Sequence, residues 1–291
     1  MVIDYSVTPP TREFLLNPGY LKDYFRVYKG RQLQLGSESH WSADAFIEFL
    51  DAEDVDMAVI KARDIETTHK KKIPNEACAE LVKRFPGRLI GMAGADPLKG
   101  DAAAEELEYA IKELGLKGVN LWPYEYNVYP HDRKYYPIYE KCAELNAIVS
   151  IETSMHFDRS VKMDLCRPLY LDYVAVDFPD LKLVGSTPGW PWVAELMGVA
   201  WRHPNVYIAT SVVRPKYMGN PRSGYETLIQ FGNSVLQDRI MFGSGWPMLP
   251  IKRGAEEVRE LPLREEVKDK WLCQNAARLF GIEVPPCQSQ E

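Results

Sequence analysis

Short apolar runs alternate with amphipathic stretches along the whole chain. Segments 2–6, 56–62, 88–95, 117–122, 147–152, 181–186, 205–210 and 239–244 are rich in Val, Ile, Leu or Met. Each is too short and too continuous to be a surface helix, and reads as a strand buried on both faces of a parallel sheet. Helical patterns lie between them. Ser42 can cap a helix carrying Ala45, Phe46, Phe49 and Leu50 on one face, and Asn75 another carrying Ala79, Val82 and Phe85. Further helical stretches fall near 101–114, 136–145, 162–178, 191–203, 223–236 and 264–280. Eight strand–helix units predict an α/β protein, a closed (β/α)8 TIM barrel, with an open doubly wound sheet as the alternative. No Gly-x-Gly-x-x-Gly follows the first strand, which counts against a dinucleotide-binding sheet.

A length of 291 residues suits one such barrel, taken to span residues 1–284 as a single domain with 285–291 as a tail. The aromatic-rich stretch 20–41 (Tyr20, Tyr24, Phe25, Tyr28, Trp41) reads as a lid or as the surface of a homodimer. A net charge of −6 argues against nucleic acid or an anionic membrane as the main partner. The five cysteines (Cys78, Cys142, Cys166, Cys273, Cys287) are scattered, with no C-x-x-C pair, so neither a disulfide framework nor a structural zinc site fits. A reducing, cytoplasmic location is the simpler expectation. The strand-like Val2-Ile3-Asp4-Tyr5 start shows no leader, and no run approaches a membrane span.

In a barrel of this kind, chemistry sits at the C-terminal ends of the strands and in the loops that follow. Several distinctive segments run along the chain. They include Ile3-Asp4-Tyr5-Ser6-Val7-Thr8-Pro9-Pro10, Phe85-Pro86-Gly87-Arg88 leading to Asp96-Pro97, and Gly118-Val119-Asn120-Leu121-Trp122-Pro123. Then come Tyr136-Pro137-Ile138-Tyr139-Glu140-Lys141-Cys142-Ala143-Glu144 and Gly189-Trp190-Pro191-Trp192. Phe242-Gly243-Ser244-Gly245-Trp246-Pro247 and Asn275-Ala276-Ala277-Arg278-Leu279 close the set. In this order, over nearly the whole chain, they resemble the amidohydrolase-related family of metal-dependent-hydrolase-like barrels. Its relatives include the aminocarboxymuconate-semialdehyde and resorcylate decarboxylases.

The resemblance implies a metal centre whose ligands have changed here. Where metal-dependent members carry His-x-His after the first strand, this chain has Ser6 and Thr8. Histidines expected after the fifth strand and before Gly-Trp-Pro-Trp are Glu152 and Thr187, and the expected aspartate after Gly-Ser is Gly245. A catalytic zinc needs about three nitrogen, sulfur or carboxylate donors within about 2.3 Å, and hydroxyls are poor substitutes. No metal and no cofactor is therefore expected.

The remaining strand-end residues supply candidate chemistry. Glu152 is either a general acid/base with a raised pKa or the partner of a cation such as Lys61. His156, close to Asp158, is either a proton shuttle or a solvent-facing loop residue. Lys61 and Arg63 can bind a substrate carboxylate. The run His69-Lys70-Lys71-Lys72 can meet a phosphorylated carrier such as an acyl-CoA, although a solvated loop explains it more simply. Asn120, Trp122 and Tyr124 suggest a wall for a flat substrate, and Arg214 and Trp246 further lining; barrel–helix packing claims some of them. Ser6, Thr8 and Thr187 either hydrogen-bond a substrate or fill space.

Without a metal there is no Lewis acid to activate water, so hydrolysis of an unactivated amide is disfavoured. Substrates with a built-in electron sink remain open: small aromatic or unsaturated carboxylates, or β-keto compounds. These would undergo decarboxylation, C–C hydrolysis, hydration or isomerisation centred on Glu152. The alternative is an inactive barrel that binds a ligand or a partner protein.

Overall fold

The computed structural model describes residues 1–14, 21–28 and 41–284. The tail 285–291 and most of the stretch 20–41 lie outside the described residues, apart from helix Leu21–Tyr28 and Trp41. Eight parallel strands form one sheet: β1 Ile3–Asp4, β2 Met57–Lys61, β3 Leu89–Gly94, β4 Gly118–Leu121, β5 Ile148–Ile151, β6 Lys182–Gly185, β7 Val206–Ala209 and β8 Ile240–Met241. Each pairs with the next in chain order. The first and last strands then meet: Tyr5 N–H donates to Phe242 O (3.0 Å), Gly245 N–H to Ser6 O (2.9 Å) and Thr8 N–H to Trp246 O (2.9 Å). The barrel is closed, as the eight buried apolar runs predict.

Strand alternation sorts the side chains. Ala58 and Ile60 of β2 face the surrounding helices, whereas Met57 and Val59 join Ile3, Tyr5, Ile90, Met92, Ile148, Val184 and Met241 inside the barrel. The closing helix Asn275–Phe280 caps the lower end, adding Ala276, Ala277 and Phe280 to that cluster, with the Phe280 ring 6.0 Å from that of Tyr5. By the same period of two, the inward positions higher in the barrel are polar: Lys61, Asn120, Ser150, Glu152 and Ser186. The inside of the barrel is thus apolar below and polar above.

Local details differ from the periodicity reading for identifiable reasons. Ser42 caps helix Ala43–Ala52 as expected, its Oγ accepting from Ala45 N–H at 3.1 Å. Asn75 does not cap its helix, Asn75–Arg84; its buried amide pairs with the backbone of Gly94 instead, accepting at 2.9 Å and donating at 3.3 Å. The stretch 162–178 breaks into a 3-10 turn, Met163–Cys166, and helix Leu169–Asp177, separated by Pro168, which lacks a backbone donor. A π turn at Lys270–Gln274 interrupts 264–280. Helix Ile251–Arg259 was not marked by the periodicity, and the loop after β2 folds into an antiparallel hairpin, Arg63–Ile65 with Lys71–Ile73.

That hairpin packs so closely on β3 that a Cβ at Gly94 would lie 2.5 Å from the Arg63 Cα. Backbone cannot yield as a flexible side chain can. Gly94→Ala is therefore expected to cost about 1–3 kcal/mol, read by urea unfolding, and to displace Arg63. Unchanged stability would mean the hairpin is not held against the strand.

Candidate active site

A cavity of about 380 Å³ opens at the C-terminal end of the barrel. Its size suits a small organic ligand. The five positions that the family resemblance sets against metal ligands, Ser6, Thr8, Glu152, Thr187 and Gly245, all line it. So do Arg63, Trp122 and Tyr124 among the residues expected from sequence. Strand ends and the first residues of the loops after them bring these groups to one place at the top of the barrel.

Glu152 lies among hydrogen-bond donors. Its Oε1 accepts from the Thr187 hydroxyl and from Ser154 N–H (3.2 Å), and its Oε2 accepts from the Ser186 hydroxyl (3.3 Å). Burial outweighs these hydrogen bonds and the field of Lys61, and pushes the carboxyl above its ordinary value. No ion pair joins Glu152 to Lys61; each feels the other's charge from beyond contact. The simple salt bridge across the barrel is thus not formed. Lys61 is half-buried, its Nζ donating to Ser6 Oγ at 3.3 Å and lying 4.8 Å from the Tyr5 ring centroid. Burial lowers its pKa to about 8, with Arg63 acting the same way and Glu152 and Asp4 opposing.

Arg63 is held in place from two sides. Its Nε donates to the buried Glu125 carboxylate at 2.9 Å, and its guanidinium stacks 3.8 Å from the Trp122 ring centroid. The Trp122 and Tyr124 wall continues through Tyr24, Phe157, Trp190 and Tyr225. The Tyr24 and Phe157 rings meet edge to face at 5.3 Å, and the Trp190 and Tyr225 rings stack at 5.4 Å. Flat aromatic walls around a polar floor suit a flat, charged substrate.

Five other residues singled out in the sequence are placed elsewhere. His156 is buried behind the wall, its ring stacked 4.7 Å from that of Tyr124 and its Nε2 set 3.0 Å from the Lys162 carbonyl. Burial lowers its pKa, so it backs an aromatic residue as a neutral ring. Arg214 turns away from the cavity because Glu257 claims its guanidinium, Nε at 2.8 Å from Oε2. Trp246 points outward, its ring 4.8 Å from Phe49 and 5.9 Å from Trp41. Asn120 lies deeper in the barrel than the lining residues, fully buried, and neither atom of its amide has a hydrogen-bond partner. Lys72, from the lysine run, is spent on Glu106 (2.5 Å) and Asp64 (3.2 Å), which leaves it unavailable to a phosphorylated carrier.

Sequence reasoning missed Tyr24, Ser154, Met155, Phe157, Trp190 and Tyr225, along with the Ser211-Val212-Val213 segment and Met248. Trp190 and Met248 sat inside or beside quoted motifs and could have been found there. Val212 could not: it is β-branched with φ 67, a backbone state only the assembled fold imposes, held by its N–H to Ser244 O at 3.2 Å.

The metal expected of this fold does not fit these residues. Gly245 stands where an aspartate is expected, at φ 69, and a Cβ there would lie 2.7 Å from Val212 Cγ2. Among the described residues no three His, Cys, Asp or Glu side chains converge as a metal site, and the Glu152 oxygens already accept three hydrogen bonds.

The sequence profile of the amidohydrolase family matches residues 34–282, and the chain belongs to that family. A 2-amino-3-carboxymuconate-6-semialdehyde decarboxylase from Dictyostelium discoideum is 28% identical over 120 residues, 38% of this chain and 33% of that protein. The match therefore spans about a third of that relative's length. Among solved structures, an uncharacterized TIM-barrel protein from Bordetella bronchiseptica superposes with a TM-score of 0.78 at 29% identity, covering 96% of this chain and 98% of its own. A dihydroxybenzoic acid decarboxylase from Polaromonas, solved with bound manganese, has a TM-score of 0.67 at 20% identity and 96% coverage of both chains. No described helix is long and apolar enough to cross a membrane.

Proposed function

We propose that this protein is a metal-independent carboxy-lyase acting on a small aromatic or unsaturated carboxylate or a β-keto acid, with Glu152 as its proton-handling group. The observation that carries this reading is a partly buried carboxyl with a raised pKa, lining an aromatic cavity together with Arg63 and with the Lys61 amine just behind Ser6. The relative named as a decarboxylase supports the reaction class.

Loss of carbon dioxide leaves an electron pair on carbon, which must be delocalised and then protonated. Glu152, whose pKa burial raises, can deliver that proton within the cavity. Arg63 can take the carboxylate with its planar donors, oriented by Glu125 and Trp122. The aromatic walls exclude water and hold the substrate plane. An open, charged cavity also argues against the alternative of an inert barrel.

The test is release of carbon dioxide from 2,6-dihydroxybenzoate and from benzoylacetate, before and after dialysis against a strong chelator. Turnover of either compound, unchanged by the chelator, is expected. Turnover lost on chelation and restored by manganese would overturn metal independence, and no turnover of either would overturn the carboxy-lyase reading.

A further inference from the structure

We infer that Lys61 is an amine nucleophile that forms a covalent iminium with the substrate carbonyl, which makes the substrate a β-keto acid rather than a phenolic one. The inference rests on the carboxy-lyase reading and narrows it.

Two independent observations carry it. The first is the position of the amine. Lys61 ends β2 pointing into the barrel, its Nζ against the hydroxyl of Ser6, a residue that lines the cavity floor. The charged and titratable groups around it are Glu152, Asp4, Arg63 and the ring of Tyr5. None of the three charged groups forms an ion pair with it, so the amine is not fixed as a structural ammonium. An ammonium partly withdrawn from water without a paired carboxylate gives up its proton more readily than a free one, and the resulting amine attacks carbonyls. Its lowered pKa, about 8, agrees.

The second observation is a set of polar groups short of partners. Both atoms of the Asn120 amide are buried without a hydrogen-bond partner, and the Tyr5 hydroxyl and Ser150 Oγ have no partner but each other. They form one neighbourhood: Tyr5 lies under the Lys61 amine, its hydroxyl is directed at Ser150, and Ser150 is the register partner of Asn120. Buried polar groups are normally satisfied, and an under-satisfied cluster of them points to a polar occupant. A carbinolamine needs such surroundings, because its oxygen must be held and then expelled as water.

The chemistry balances. The neutral Lys61 amine adds to the ketone carbon; the oxygen takes protons, one from Glu152, and leaves as water, giving a protonated C=N bond. The bond to the carboxylate carbon then breaks, carbon dioxide departs, and the electron pair moves into the C=N bond to give an enamine. Glu152, reprotonated from solvent, protonates the enamine carbon. Water adds back, the ketone is released and the amine is regenerated. One proton is consumed and no oxidant or reductant is required.

The experiment uses the full chain with benzoylacetate and sodium borohydride, followed by peptide mass mapping, with carbon dioxide release measured in parallel. A reduced adduct confined to Lys61, absent from Lys61→Arg together with its turnover, is expected. Circular dichroism confirms that Lys61→Arg is folded, and Lys61→Met serves if it is not. Benzoylacetate turnover without an adduct, or turnover surviving in Lys61→Arg, would overturn the inference and leave the carboxy-lyase reading standing. Release of carbon dioxide from 2,6-dihydroxybenzoate alone would do the same. Adducts spread over many lysines would also overturn it, and absence of the adduct together with no turnover of either compound would sink both readings.

Discussion

Glu152→Gln is expected to lower kcat by about 10²- to 10⁴-fold, the usual weight of a general acid in the transition state. The replacement keeps the shape of the side chain. A glutamine carbonyl can still accept from the Thr187 hydroxyl and Ser154 N–H, and its amide can donate to Ser186. What is lost is the transferable proton. Binding of an unreactive aromatic acid, followed by tryptophan fluorescence, is expected to persist, which separates a chemical defect from a collapsed cavity.

The sign of the stability effect makes this test clean. Burial raises the Glu152 pKa above its unfolded value, so the favourable protonated state is fully available below the ordinary carboxylate range. Its benefit is lost as pH rises through the raised value. A neutral glutamine does not suffer this loss, so the variant is expected to be at least as stable as the parent at neutral pH. The margin should widen as pH climbs out of the carboxylate range. An undiminished kcat in a folded Glu152→Gln protein would remove Glu152 from the mechanism.

Glu257→Ala is expected to cost about 3–5 kcal/mol of folding stability, the penalty for stranding a buried charge. The Glu257 carboxylate is fully buried and accepts from two guanidinium nitrogens of Arg214, from Lys216 N–H at 3.4 Å, and lies 3.3 Å from Arg253 Nε. Arg253 is half-exposed and has Glu256 as a second partner, so it can turn to water. Arg214 is only 12% exposed and has no such escape. Replacing both members of the pair by methionine is expected to recover most of the loss, because the cost lies in the unpaired charge rather than in the missing bridge. Chemical unfolding of the two single variants and the double variant measures this directly. A single-variant loss below about 1 kcal/mol would mean that water reaches Arg214. Burial works to raise the Glu257 pKa, but the hydrogen bonds from Arg214 and Lys216 overcome it and hold it below its ordinary value. Its contribution is therefore present at neutral pH and disappears as pH falls through that depressed value. The gap between parent and Glu257→Ala should close in acid.

The two cations after β2 show how far residue type alone could be trusted. Lys61 and Arg63 were both legible as strand-end cations, and the structure sets them apart. Arg63 is oriented by a buried carboxylate and a tryptophan face, whereas Lys61 has only a hydroxyl within reach. Arg214 carried the same promise in sequence and is consumed by Glu257, whose helix, Ile251–Arg259, the periodicity had not marked. A residue's partner in three dimensions decides what it is free to do.

What the sequence determined by itself is the barrel and the register of its chemistry. Eight short apolar runs, each buried on both faces, leave few ways to satisfy their backbones except a closed parallel sheet. Their place at or just after the C-terminal strand ends then brings Ser6, Thr8, Glu152 and Thr187 to one end of the barrel, where they line one cavity. Only the tertiary structure decided the rest. Gly245 cannot carry a ligand because of a contact with Val212, 33 residues away in sequence. His156 became a support for Tyr124, and the Asn120 amide was left unpartnered in the layer beneath the cavity. These outcomes depend on distances between segments remote in the chain, and hydrophobic periodicity, a local signal, carries no information about them.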